Sequence, residues 1–206
     1  MTFSSYCAIM HGYQIPLGGS TLGIKIVAVF HGAKVSGVTQ YPTAVGANPP
    51  MTIEGMAKAQ ADLVEKVRAH GPYVCGYTSR LARACDMMSV LATALDLDFV
   101  SMKGLGQHGN LDNGTVIMYP GCEDENYVSW QNNAMGAIQD IGDMHECGDT
   151  ILVVGHRPTL GALVALTQEI TDIDGLKQVV NDPATVGEGF RVFEYHKHGG
   201  ELQLVV

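Results

Sequence analysis

Three short runs of apolar, largely β-branched residues, each closed by a polar turn and followed by a helix-spaced pattern, constrain this chain more than any other feature. They are Gly23 to Phe30 (GIKIVAVF), Tyr73 to Tyr77 (YVCGY) and Thr150 to Val154 (TILVV). Runs that are short and apolar throughout read as strands covered on both faces, the condition of a parallel sheet beneath helices. After the first run, Ala33 to Pro50 is rich in Gly, Pro, Thr and Asn and predicts a loop. Thr52 then offers an N-cap and Glu54 a first-turn acid. Ile53, Met56, Gln60, Leu63, Val64 and Val67 keep helical spacing until Gly71-Pro72. After the second run, Thr78-Ser79 can cap a helix carrying Leu81, Ala84, Cys85, Met88, Leu91, Ala92 and Leu95. After the third, Pro158 suits the first turn of a helix through Leu160, Leu163, Val164 and Thr167.

Weaker signals fill in the remainder. Asp98 to Met102 and Thr115 to Tyr119 are strand candidates, and Asp124 to Met144 predicts a helix despite Gly136 and Gly142. Phe190 to Tyr195 and Leu202 to Val206 alternate and predict a hairpin, with His198-Gly199-Gly200 in its turn. Strands alternating with helices define an α/β fold: a three-layer sandwich with a mostly parallel sheet, helices on both faces and an antiparallel C-terminal edge. The 206 residues fit one core, taken as a single domain over 24–206 behind an N-terminal lead at 1–23.

Composition limits what such a domain does. With 46% hydrophobic and 16% charged residues it is no disordered chain, and a net charge of -9 repels a nucleic-acid backbone or an anionic membrane. The apolar runs are far shorter than the roughly 20 residues that span a bilayer. Five cysteines, an odd number without CxxC spacing, read as reduced thiols. The first residues lack the basic start and unbroken apolar stretch of a signal peptide, so the expected compartment is cytoplasmic.

His31 follows the first strand, Ser79 to Arg83 follow the second, and His156-Arg157 follow the third. In open α/β sheets the carboxyl ends of the strands share one crevice. Two imidazoles and a guanidinium meeting there suit a tetrahedral anion, since Arg grips oxygens with a rigid fork and His serves as nucleophile or acid. Either histidine alone reads better as a turn residue satisfied by backbone. Two in equivalent positions, with Arg83, favour the anion site.

Four segments in order, Phe30 to Gly32 (FHG), Met51 to Ala61 (MTIEGMAKAQA), Thr78 to Ala84 (TSRLARA) and Val153 to Leu160 (VVGHRPTL), resemble the histidine phosphatase superfamily. That superfamily includes phosphoglycerate mutases and phosphohistidine phosphatases, and the Gly155-His156 segment looks closest to the latter. The resemblance spans Ile24 to Thr167 and implies a phosphoglycerate mutase-like fold and a phosphoryl-transfer hydrolase. It implies that His31 attacks phosphorus and is transiently phosphorylated, that Arg83 holds the equatorial oxygens, and that His156 stabilises the transferring group. Gly32, Lys34, Ser79 and Arg157 are further candidates for binding the phosphate. No metal or cofactor is expected, and the partner would be a phosphorylated small molecule or a phosphohistidine protein. Thr52 and Glu54 match a helix start whose role is architectural.

Two departures matter. Phe30 stands where the family's first motif has a phosphate-binding arginine, and deleting one such preorganised donor commonly lowers the rate by roughly 10²–10³. Lys34 and Arg157 are possible substitutes; Arg80 shares the Arg83 face or points to water. Gln107 stands where many members carry a proton-donating glutamate, which leaves His108 as the nearest titratable replacement and a phosphoramidate as the easier substrate. Glu123, Asp124 and Glu125 read as a charged helix start or as acids reaching over the site. The alternative to an enzyme is a degenerate pseudophosphatase that binds a phosphorylated ligand or a protein partner. Among other motifs, the GxGxxG of Gly104 to Gly109 opens no helix, His196-Lys197-His198 reads as a hairpin tip, and Trp130 reads as core or lid.

Overall fold

The computed structural model describes residues 23–32, 50–106 and 123–206. Six strands form one sheet in the order β3-β2-β4-β1-β5-β6. They are β1 (Ile24–Phe30), β2 (Cys75–Thr78), β3 (Phe99–Ser101), β4 (Thr150–Gly155), β5 (Phe190–His196) and β6 (Glu201–Leu204). The first four run parallel, while β5 pairs antiparallel with β1 and β6 antiparallel with β5. This is the mostly parallel sheet with an antiparallel C-terminal edge read from the sequence. Thr115 to Tyr119 lies outside the described residues.

Strand alternation sorts the core into two layers. Ile24, Ile26 and Ala28 of β1, with Ile151 and Val153 of β4, face α4 (Glu123–Met144), α5 (Arg157–Thr167) and α6 (Ile173–Asn181). Val27 and Val29, with Leu152 and Val154, face α1 (Ile53–Lys58), α2 (Val64–Arg68) and α3 (Ala82–Leu95). Trp130 is buried among the first set and belongs to the core.

Local readings fail where they assumed a regular helix. The pattern over Thr52 to Gly71 predicts one helix, but Ala59–Leu63 forms a π-helical turn between α1 and α2, with the Val64 N–H bonded to the Ala59 carbonyl. Gly55, Ala59, Leu63, Val64 and Val67 are the buried positions, and Ile53, expected inward, is 77% exposed. Thr52 caps α1 as anticipated, accepting from the Gly55 N–H at 2.9 Å. Thr78 and Ser79 do not cap α3, which starts after Leu81 and has no side-chain cap. Helix α6 was not foreseen. Its signal is Asp172, whose carboxylate accepts from the Gly175 N–H at 2.8 Å, followed by the inward Leu176 and Val180.

Helix α6 lies against α5 where Gly161 lets the backbones approach: a Cβ added there would stand 2.8 Å from Val180 Cα. Backbone cannot swing aside as a side chain does, so Gly161→Ala is expected to destabilise the fold by about 1–3 kcal/mol, read as a fall of several degrees in melting temperature.

Candidate active site

Strand register assembles the site. Phe30 and Gly155 are partners in the parallel β1–β4 ladder, so the residues that follow them, His31 and His156, leave the sheet side by side. Their ring centroids lie 5.0 Å apart with planes at 64°, close to the roughly 4.8 Å between neighbouring strands. Thr78 is level with Val154 in the next ladder, which brings Ser79 beside His156. Ser79 Oγ and His156 Nε2 are 2.8 Å apart, and the same hydroxyl oxygen accepts from the Leu81 N–H at 3.2 Å. Arg83, in the first turn of α3, donates from Nε to His31 Nε2 at 3.0 Å. His31, Ser79, Arg83 and His156 are all buried, at 8%, 0%, 5% and 1% exposure.

The bonds that His31 makes with Arg83 and the Gly32 carbonyl settle its tautomer. A guanidinium has only donors, so Nε2 must present its lone pair; the Gly32 carbonyl, 2.8 Å from Nδ1, only accepts, so Nδ1 carries the proton. The result is a neutral, oriented imidazole with a basic Nε2 beside a cation. Burial lowers the Arg83 guanidinium to about 10, which leaves it charged at neutral pH. A buried cation bonded to one imidazole, with a second imidazole 5.0 Å from the first, can bind an anion at the end of the sheet.

Not every candidate joins them. Arg157, considered above as a phosphate ligand, is turned onto the carboxyl end of α6: its Nε donates to the Val180 carbonyl at 3.1 Å and its terminal nitrogen to that of Asn181. The carbonyls ending a helix lack intrahelical partners and attract a cation, which is why this arginine goes there. Arg80 is exposed. Lys34, Gln107 and His108 lie outside the described residues, and α4 opens at Glu123. Among the described residues no three His, Cys, Asp or Glu side chains stand together to hold a metal, and no helix is long and apolar enough to cross a membrane.

Phe30 packs its ring on His31, centroids 4.4 Å apart at 36°. Beside this pair opens a cleft of about 500 Å³ whose walls include Ala59 and Leu63 of the π-helical turn and Met87 of α3. Sequence reasoning missed it, because hydrophobic spacing does not distinguish a π-helical turn from a regular one.

No protein-family model and no curated protein matches the sequence. Solved structures do. YhfR of Bacillus stearothermophilus superposes with a TM-score of 0.66 at 21% identity, covering 89% of this chain and 96% of that one. Phosphoserine phosphatase of Entamoeba histolytica, in complex with 3-phosphoglyceric acid, gives 0.63 at 16%, covering 89% and 95%. A mycobacterial glucosyl-3-phosphoglycerate phosphatase bound to VO3 gives 0.63 at 13%, covering 88% and 97%. What is shared at this identity is the fold: the chain has a phosphoglycerate mutase-like α/β fold.

Proposed function

We propose that the chain is a phosphatase of the histidine phosphatase type, acting in the cytoplasm on a phosphorylated small molecule or on phosphohistidine in a protein. The observation that carries this reading is the imposed tautomer of His31, whose Nε2 lone pair lies beside the buried Arg83 and His156. The phosphatases among the structural neighbours support the same class of activity. Nε2 forms a bond to phosphorus while the bond to the leaving group breaks, its electron pair departing with that group. Arg83 exchanges its bond to Nε2 for one to a phosphoryl oxygen, where charge accumulates, and His156 faces the same oxygens. Water then attacks phosphorus, and the N–P electron pair returns to Nε2.

The test is to capture the intermediate. Protein mixed briefly with phenyl phosphate and quenched in alkali should carry an acid-labile phosphoryl group on His31 by mass spectrometry. Turnover without that label, or with it on another residue, would refute the scheme.

Phe30 favours a second reading, a degenerate protein that holds a phosphorylated ligand without turning it over, because an aromatic ring lends no charge to a phosphoryl group. Phe30→Arg separates the two. On methyl phosphate, which has no ring to pack on Phe30, it is expected to raise kcat/KM by roughly 10-fold or more, restoring one cationic clamp. No gain in a folded variant would show that the missing cation is not what limits the rate.

A further inference from the structure

The π-helical turn and the cleft beside His31 coincide. Lys58, Ala59, Asp62 and Leu63, all in or next to that turn, line the cleft, with Phe30 and Met87 among the other walls. Such turns are rare inside helices and recur at functional sites. Ala59 and Leu63 are buried and give apolar walls, whereas Lys58 and Asp62 are exposed at the mouth. Lys66, also lining it, binds Glu188 across the cleft at 2.5 Å. Two lysines and two acids leave this rim without net charge, so it offers nothing to a polyanionic leaving group. The volume, about 500 Å³, exceeds what a phosphoryl group needs; an apolar cavity of about 150 Å³ already admits benzene.

We infer that this cleft receives the leaving group, and that the leaving group is an aromatic or heteroaromatic ring bearing the phosphoryl group directly. This rests on the phosphatase reading of His31 and narrows it. The ring packs against Phe30 edge to face or offset, between Leu63 and Met87, with its phosphoryl group at His31 Nε2. The residue that removes a clamp thus supplies a surface for the substrate's ring. An aryl oxygen, or a ring nitrogen protonated beforehand, departs without the strong acid that an alkoxide requires.

Calorimetric titration with two inert probes tests it. Phenylphosphonate should bind the wild-type protein roughly tenfold or more tighter than methylphosphonate, since burying a ring outweighs the 10-fold or greater discrimination a single methylene can give. Ala59→Phe, which fills the cleft, should bring that ratio close to one, and Lys58→Trp at the exposed mouth serves if the buried change prevents folding. Equal binding of the two phosphonates to wild type overturns the inference and leaves the anion site standing. A preference that persists in the folded, filled variant overturns it too. Failure of both probes to bind removes the phosphatase reading as well. Hydrolysis of phenyl phosphate and of N-phosphoimidazole then tells an aryl oxygen from a ring nitrogen; both should outpace methyl phosphate, and a lead for methyl phosphate counts against the inference.

Discussion

His31→Ala is expected to abolish turnover, lowering kcat/KM on the order of 10⁴–10⁶, because removing a nucleophile eliminates the covalent route entirely. The fold should survive. His31 stands beyond the end of β1, and its loss removes the ring contacts with Phe30 and His156 together with the bond to the Gly32 carbonyl and the one from Arg83. Two such bonds contribute about 1–2 kcal/mol, a shift of a few degrees at this chain length. Steady-state assays on phenyl phosphate and calorimetry on the same preparation check both halves. Activity retained in the variant would show that His31 is not the nucleophile.

Arg83→Met separates binding from stability in the opposite sense. The guanidinium is buried and lowered to about 10. Between that value and its ordinary one, the unfolded chain holds a proton that the folded chain has released, so stability rises with pH across that interval. Below pH 10 the desolvation of this charge weighs against the fold, offset in part by its bond to His31. Methionine keeps much of the volume without the charge. Phosphate affinity and kcat/KM should fall by roughly 10²–10³, while the melting temperature at pH 7 stays level or rises. In the wild type, phosphate binding should weaken as pH climbs toward 10. A melting temperature several degrees lower in the variant would show that Arg83 holds the fold together instead of straining it.

Much of this architecture was legible in the order of residues because it depends on simple periods. β1, β2 and β4 are short and apolar, and their ends fall at His31, Ser79 and His156, so the pattern that marks the strands also marks the crevice. Other features depend on three-dimensional choices. Ile53 fits a helical stripe yet faces solvent, because the π-helical turn shifts which side of the helix meets the sheet. Thr78-Ser79 has good capping chemistry, but the Ser79 hydroxyl is engaged by His156 and the Leu81 N–H. Arg157 follows His156 directly, and only the position of α6 explains why it turns the other way. The cleft is formed by elements distant in sequence, and no single segment carries its signature.

The central strand sets the timing of assembly. β1 lies between β4 and β5, both from the second half of the chain, while β3 pairs with β2 and β2 joins the rest of the sheet through β4. During synthesis the first strand emerges well before either neighbour, since more than a hundred residues separate it from β4 and more again from β5, so native pairing must await late-arriving partners. A nascent or C-terminally shortened chain therefore exposes an apolar edge at Ile24 to Phe30 and has His31 without His156 beside it. Competence to bind phosphate should appear as one cooperative event at the end of folding, not by gradual accretion.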